Sequence, residues 1–120
     1  MTINVQLLER ICKAPGAPGF EKEIRNLVLA ELKKGKVADE VRIDAMGNVV
    51  ALKKGKSDKK KIMAAAHMDE IGFIVTHIDD QGFIRFNPLG EFDPKTLSAQ
   101  RVIVHGKKDL VGVMGAKPIH

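Results

Sequence analysis

The 120-residue chain has no Trp and no Tyr, and its aromatic content of 4% comes from five Phe. Proteins that grip single-stranded nucleic acid do so largely by stacking bases on aromatic rings, and these Phe are not interleaved with the basic run at 53–61. A stacking platform is therefore poorly supplied. The single cysteine, Cys12, excludes an internal disulfide. It falls on the apolar side of a helical pattern, where a free thiol is more often a buried structural residue than a nucleophile. Residues 1–6 lack the basic start and apolar core of a secretory signal, so a cytoplasmic protein is expected. No apolar run approaches the roughly twenty residues needed to cross a bilayer, and no membrane partner is expected.

What is present is 44% hydrophobic residues, enough for one ordinary core, and a net charge of +5. A basic balance invites a nucleic-acid reading, because clustered lysines neutralise phosphates. The excess is local, however, in Lys33-Lys34, Lys53-Lys54 and the run at 56–61. The last cluster contains Gly55 and Ser57-Asp58 between two strand patterns, the composition of a solvated hairpin tip. No nucleic-acid partner is expected.

Apolar spacing predicts a helix over 5–13, with Leu7, Leu8 and Ile11 in register and Asn4 as N-cap. A second helix is predicted from 20 or 21 to about 34, with Ile24, Leu27, Val28 and Leu32 inward and Gly35 as C-cap. Strands are predicted at 40–44, 48–53 and 60–66, the first two joined by Ala45-Met46-Gly47. Two helices followed by strands suit the opening of an α/β sheet domain. After Gly72 the pattern becomes paired β runs, 73–78 with 83–86 and 101–105 with 110–114, broken by Asn87-Pro88-Leu89-Gly90. Short strands at this spacing suggest a small all-β barrel. The expected boundary lies near 70–72, giving regions 1–71 and 72–120.

The residues with chemistry are His67-Met68-Asp69, which follow the apolar run Ile62-Met63-Ala64-Ala65-Ala66. The end of a buried strand is where open α/β sheets place their ligands. In extended backbone, side chains two apart share a face, so Asp69 can accept a hydrogen bond from one ring nitrogen of His67 while the other faces a metal. A lone His-x-Asp is also met as a capped turn or a surface pair. His77 and His105 alternate with apolar residues and read as ordinary strand histidines. Asp44, Gly47 and Asn48 read as turn chemistry, and Asp79-Asp80 as acids in a turn that rarely bind a cation alone.

Several spaced blocks narrow the choice. Residues 14–21 (APGAPGFE), 39–49 (DEVRIDAMGNV) and 65–75 (AAHMDEIGFIV), then Gly82 to Phe86, Asp93-Pro94, Gln100-Arg101-Val102 and 112–120, occur in order over nearly the whole chain. Together they resemble the start of the tetrahedral, or glutamyl-aminopeptidase-like, family of dinuclear metallopeptidases. Gly90-Glu91-Phe92 departs from the paired glycines of that pattern.

The resemblance implies that His67 is a metal ligand and that Asp69 orients the catalytic site. No role passes to Glu70 or to His120. It also implies two divalent ions in the full-length enzyme, Zn or Co, a water held between them, a peptide substrate cleaved at its N-terminal residue, and a homo-oligomer whose contacts use an inserted β domain. The bridging Asp, the Glu pair and the closing ligands fall beyond residue 120 in the family's chain. The sequence thus reads as about its first third, a truncation, a split gene product or a partial chain, inactive alone. The alternative is a non-catalytic assembly or interaction module built on the β region.

Overall fold

In a computed structural model the description covers residues 3–57 and 59–115. His120 and the block around it lie outside those residues. The order is α1 (Val5–Lys13), α2 (Lys22–Gly35), β1 (Glu40–Ile43), β2 (Val49–Leu52), β3 (Gly72–Ile78), β4 (Ile84–Leu89), a 3-10 turn at Pro94–Thr96, β5 (Arg101–Val104) and β6 (Leu110–Val113).

Helix α1 starts as its sequence predicts: the Asn4 side-chain oxygen accepts from the Leu7 N–H at 3.0 Å. It stops at Ala14, which is extended (φ −75°, ψ 123°), the conformation that a following proline imposes. Helix α2 begins one or two residues later than expected, because the Glu21 carboxylate accepts from the Gly19 N–H at 2.6 Å and caps nothing in the helix. The left-handed residue that ends α2 is Lys36 (φ 47°), one position past the expected Gly35. The two helices are joined by an Arg10 Nη1 to Glu31 Oε1 ion pair at 2.7 Å and enclose an apolar groove of about 300 Å³ that includes Leu7, Ile11, Leu27 and Leu32. Cys12, expected to be buried, is exposed, as α1 has no buried residue.

Three antiparallel hairpins follow, β1 with β2, β3 with β4 and β5 with β6. Two are closed by the same turn. In the first, Asp44 Oδ1 accepts from the backbone N–H groups of Met46 and Asn48, both at 2.9 Å, and Asp44 Oδ2 from the Asn48 amide at 2.8 Å. In the second, Asp79 Oδ1 accepts from Gln81 N–H at 3.1 Å and Phe83 N–H at 2.8 Å. Each has its glycine at the fourth position with positive φ, Gly47 at 87° and Gly82 at 84°, a geometry that side chains with Cβ resist. The open end of the first hairpin is pinned by Asp39, which accepts from Lys53 Nζ at 2.9 Å and the Lys54 N–H at 2.6 Å.

Strand β4 runs through Asn87 and Pro88, which were expected to break it. Pro88 pairs with Phe73 in the register, and having no N–H it suits a strand whose other edge is open. Phe73 is stacked on Phe92 (4.4 Å) and edge-on to Phe86 (4.9 Å). The positive φ after β4 is held by Gly90 (106°), beside Ile71. β5 ends at Val104, leaving His105 in the following turn rather than in a strand.

The segment 60–66 is not a strand. It is irregular and joins no ladder, with Ile62 97% and Met63 88% exposed. An extended run becomes a strand only when a neighbour takes its N–H and C=O groups, and no described strand lies beside it. The basic run at 53–61 is consequently not the tip of a hairpin. Nor do the β3–β4 and β5–β6 hairpins share a ladder, so no barrel closes among the described residues. Among the described residues the buried hydrophobic side chains are Ile24 and Met114, at 3% and 7% exposure. The radius of gyration is 19.2 Å, against about 14 Å for a compact chain of this length. No helix among the described residues is long and apolar enough to cross a membrane.

Two predictions follow from this architecture. The Asn48 side chain, and then the Asn48 and Met46 N–H groups, hold the Asp44 carboxyl below its ordinary pKa of 3.8. A depressed folded-state pKa contributes stability that is present above the ordinary value and lost as pH falls through the lower one. Amide-exchange protection of Asn48 is therefore expected to be lost as pH falls below the ordinary value of 3.8 and to be low at every pH in Asp44→Ala; a pH-independent protection in the wild type would refute the turn's role. The exposed apolar surface, Ile62, Met63 and Val111 included, is expected to drive self-association. Light scattering that finds a monodisperse monomer at high concentration would contradict this.

Candidate functional site

The irregular segment that fails to become a strand still presents the His-x-Asp pairing that its spacing predicts. His67 Nδ1 lies 3.0 Å from Asp69 Oδ1 and 2.9 Å from the Asp69 backbone oxygen. A carboxylate and a carbonyl both only accept, so in the neutral ring the proton sits on Nδ1 and the Nε2 lone pair is left free. The second acceptor, the backbone carbonyl, was not foreseen from the sequence. Two acceptors on one N–H fix both the tautomer and the plane of the ring.

The His67 side chain is 84% exposed and that of Asp69 42%. The imidazole is thus open to solvent while the carboxylate beside it is partly shielded. That is the donor chemistry of a neutral imidazole ligand backed by a carboxylate. The fit to a divalent ion rests on this one nitrogen: no group of three or more His, Cys, Asp or Glu that could hold a metal occurs among the described residues.

The motif is tied to the start of the chain. The Glu70 N–H donates to the Gly16 carbonyl at 2.9 Å, so the loop between α1 and α2 reaches the residue directly after Asp69. Nothing in the short-range pattern announces this contact, because its partners are far apart in sequence and one of them is a backbone carbonyl. A second pair, His105 Nδ1 to Asp109 Oδ1 at 3.0 Å, spans the β5–β6 turn. His77 lies in β3 opposite Arg85. Neither histidine is hydrogen-bonded to the His67 motif.

Residues 47–120 match the family described as M42 glutamyl aminopeptidase. The chain is 44% identical over 120 residues to the lysyl aminopeptidase of Pyrococcus furiosus, with 98% of this chain and 34% of that protein covered. Among solved structures, it superposes with a TM-score of 0.88 and 35% identity on a TET aminopeptidase from a marine sediment archaeon of the Thaumarchaeota, covering 95% of this chain and 31% of that one. It also matches the Pyrococcus horikoshii TET1 peptidase, which assembles into a tetrahedron or a large octahedral shell, at a TM-score of 0.79 and 36% identity over 97% of this chain and 34% of that one. The chain spans about a third of the length of these relatives. The two helices and the following strands are the opening of the TET aminopeptidase fold, and with the blocks at 65–75 and 112–120 inside the matched region, the chain belongs to the M42 glutamyl aminopeptidase family.

Proposed function

We propose that the protein is the N-terminal portion of a metal-dependent aminopeptidase that releases N-terminal residues from peptides, in a soluble cytoplasmic homo-oligomer. The observation that carries this reading is the His67 ring held by Asp69 with Nε2 free, in a chain of aminopeptidase relatives. His67 is read as one ligand of a two-metal centre, with Zn or Co as the ions. When bound, such ions polarise the scissile carbonyl and lower the pKa of the attacking water. Asp69 keeps the proton on Nδ1 and raises the basicity of the opposite nitrogen. Homo-oligomer formation is supported by the tetrahedral and octahedral assemblies of TET1. We place the catalytic part at 1–71 and the inserted assembly part at 72–120, since the run from the motif leads directly into β3 at Gly72.

Hydrolysis at such a centre needs several ligands and a general base. Residues 1–120 alone are expected to release no N-terminal residue from a peptide above the background of metal-containing buffer. Metal-dependent turnover that vanishes in His67→Ala would overturn this expectation. In a subunit of the family's full length that opens with these residues, His67→Ala should remove one metal per subunit, as read by native mass spectrometry. Asp69→Asn should keep the thermal melt and weaken metal affinity by about ten- to a hundredfold, the cost of losing an orienting partner. An unchanged metal count in His67→Ala would sink the ligand assignment.

A further inference from the structure

We propose that the loop at 14–19 is the seat of the His67-Met68-Asp69 segment and that Gly16 is its positioning residue; this rests on the reading of His67 as a ligand. Gly16 is buried and its carbonyl takes the Glu70 N–H at 2.9 Å. A Cβ on Gly16 would lie 2.8 Å from Ile24 Cγ2 and 3.4 Å from the Met68 carbonyl oxygen. Its φ is not positive, unlike those of Gly19, Gly47, Gly82 and Gly90. Glycine is needed here for space rather than for backbone conformation.

The wall behind Gly16 does not give way easily. Ile24, at 3% exposure, is the most buried hydrophobic side chain described and stands near the start of α2. The loop is itself braced, by Phe20 N–H on the Ala17 carbonyl at 2.8 Å and Gly19 N–H on the Glu21 carboxylate at 2.6 Å. On its other flank, Ala17 Cβ sits 3.0 Å from where a Cβ on Gly72 would fall. Met68, Glu70 and Gly72 thus rest on the loop, and Asp69 is held between two of them. A Cβ at 16 overlaps Ile24 Cγ2 at 2.8 Å and already touches the Met68 carbonyl oxygen at 3.4 Å, so a loop that shifts away from Ile24 presses on Met68, and interiors transmit such strain. The soft side is the irregular segment, which has no ladder of its own. Asp69 would turn with it, and His67 would lose the acceptors that lock its proton.

The test is long-range proton–nitrogen NMR of the full chain without metal, at a pH where the imidazole is neutral. The wild type should show His67 in the Nδ1–H tautomer and a protected Glu70 amide. Gly16→Ala should speed Glu70 exchange by about tenfold, the order expected for losing one hydrogen bond, and convert His67 to a tautomer mixture. The double variant Gly16→Ala/Ile24→Ala removes the obstructing methyl and should recover the wild-type tautomer despite a lower Tm. If Gly16→Ala does not fold, Gly72→Ala presses the same seat from the Ala17 side and should give the same tautomer change. A lowered Tm with the His67 tautomer and the Glu70 amide unchanged means that Gly16 is merely structural, and overturns the proposal. Because no metal is present, this outcome is separate from the metal count of His67→Ala, which tests the ligand reading itself.

Discussion

Backbone hydrogen bonds need partners, and in this chain nearly all of those partners are local. Each hairpin satisfies its own strands, and Asp44 and Asp79 each gather the free N–H groups of one turn. With Ile24 and Met114 the buried hydrophobic side chains among the described residues, burial cannot be what orders most of them. What orders them is capping, turn closure and pairing between close neighbours in sequence, each worth on the order of 1 kcal/mol.

The exception to locality is the contact that matters for the site. The Gly16 carbonyl and the Glu70 N–H bring the loop between the helices to the His67 motif, and Ile24 backs that loop from α2. A segment without a ladder is otherwise free to rotate. Here two backbone groups and one close-packed glycine restrict it, which explains how an irregular stretch can present a histidine in one tautomer. The imidazole there is exposed and the carboxylate beside it half shielded.

Sequence patterns were most readable where the cause is local. Asn4 caps α1, Pro15 ends it, and the Asp–Gly turns at 44–48 and 79–83 close hairpins, because each signal and its effect lie within a few residues. Helix termini shifted where one side chain had two options, as when Glu21 turned back to Gly19. The expected strand at 60–66 and the barrel failed for a different reason. An apolar run states that a segment can be buried, but burial and pairing depend on a neighbour that the run itself does not specify. The exposed Cys12 follows the same logic.

The spacing of His67 and Asp69 made their pairing legible in the sequence, and the structure shows it at 3.0 Å. The residues alone determined the family, because its blocks recur in order along the chain. Tertiary structure decided the remainder. It supplied the Asp69 carbonyl as second acceptor, placed Gly16 under the motif, and left 60–66 uncovered. These are contacts between segments distant in sequence or between backbone groups common to every residue, and neither kind leaves a mark on the local pattern.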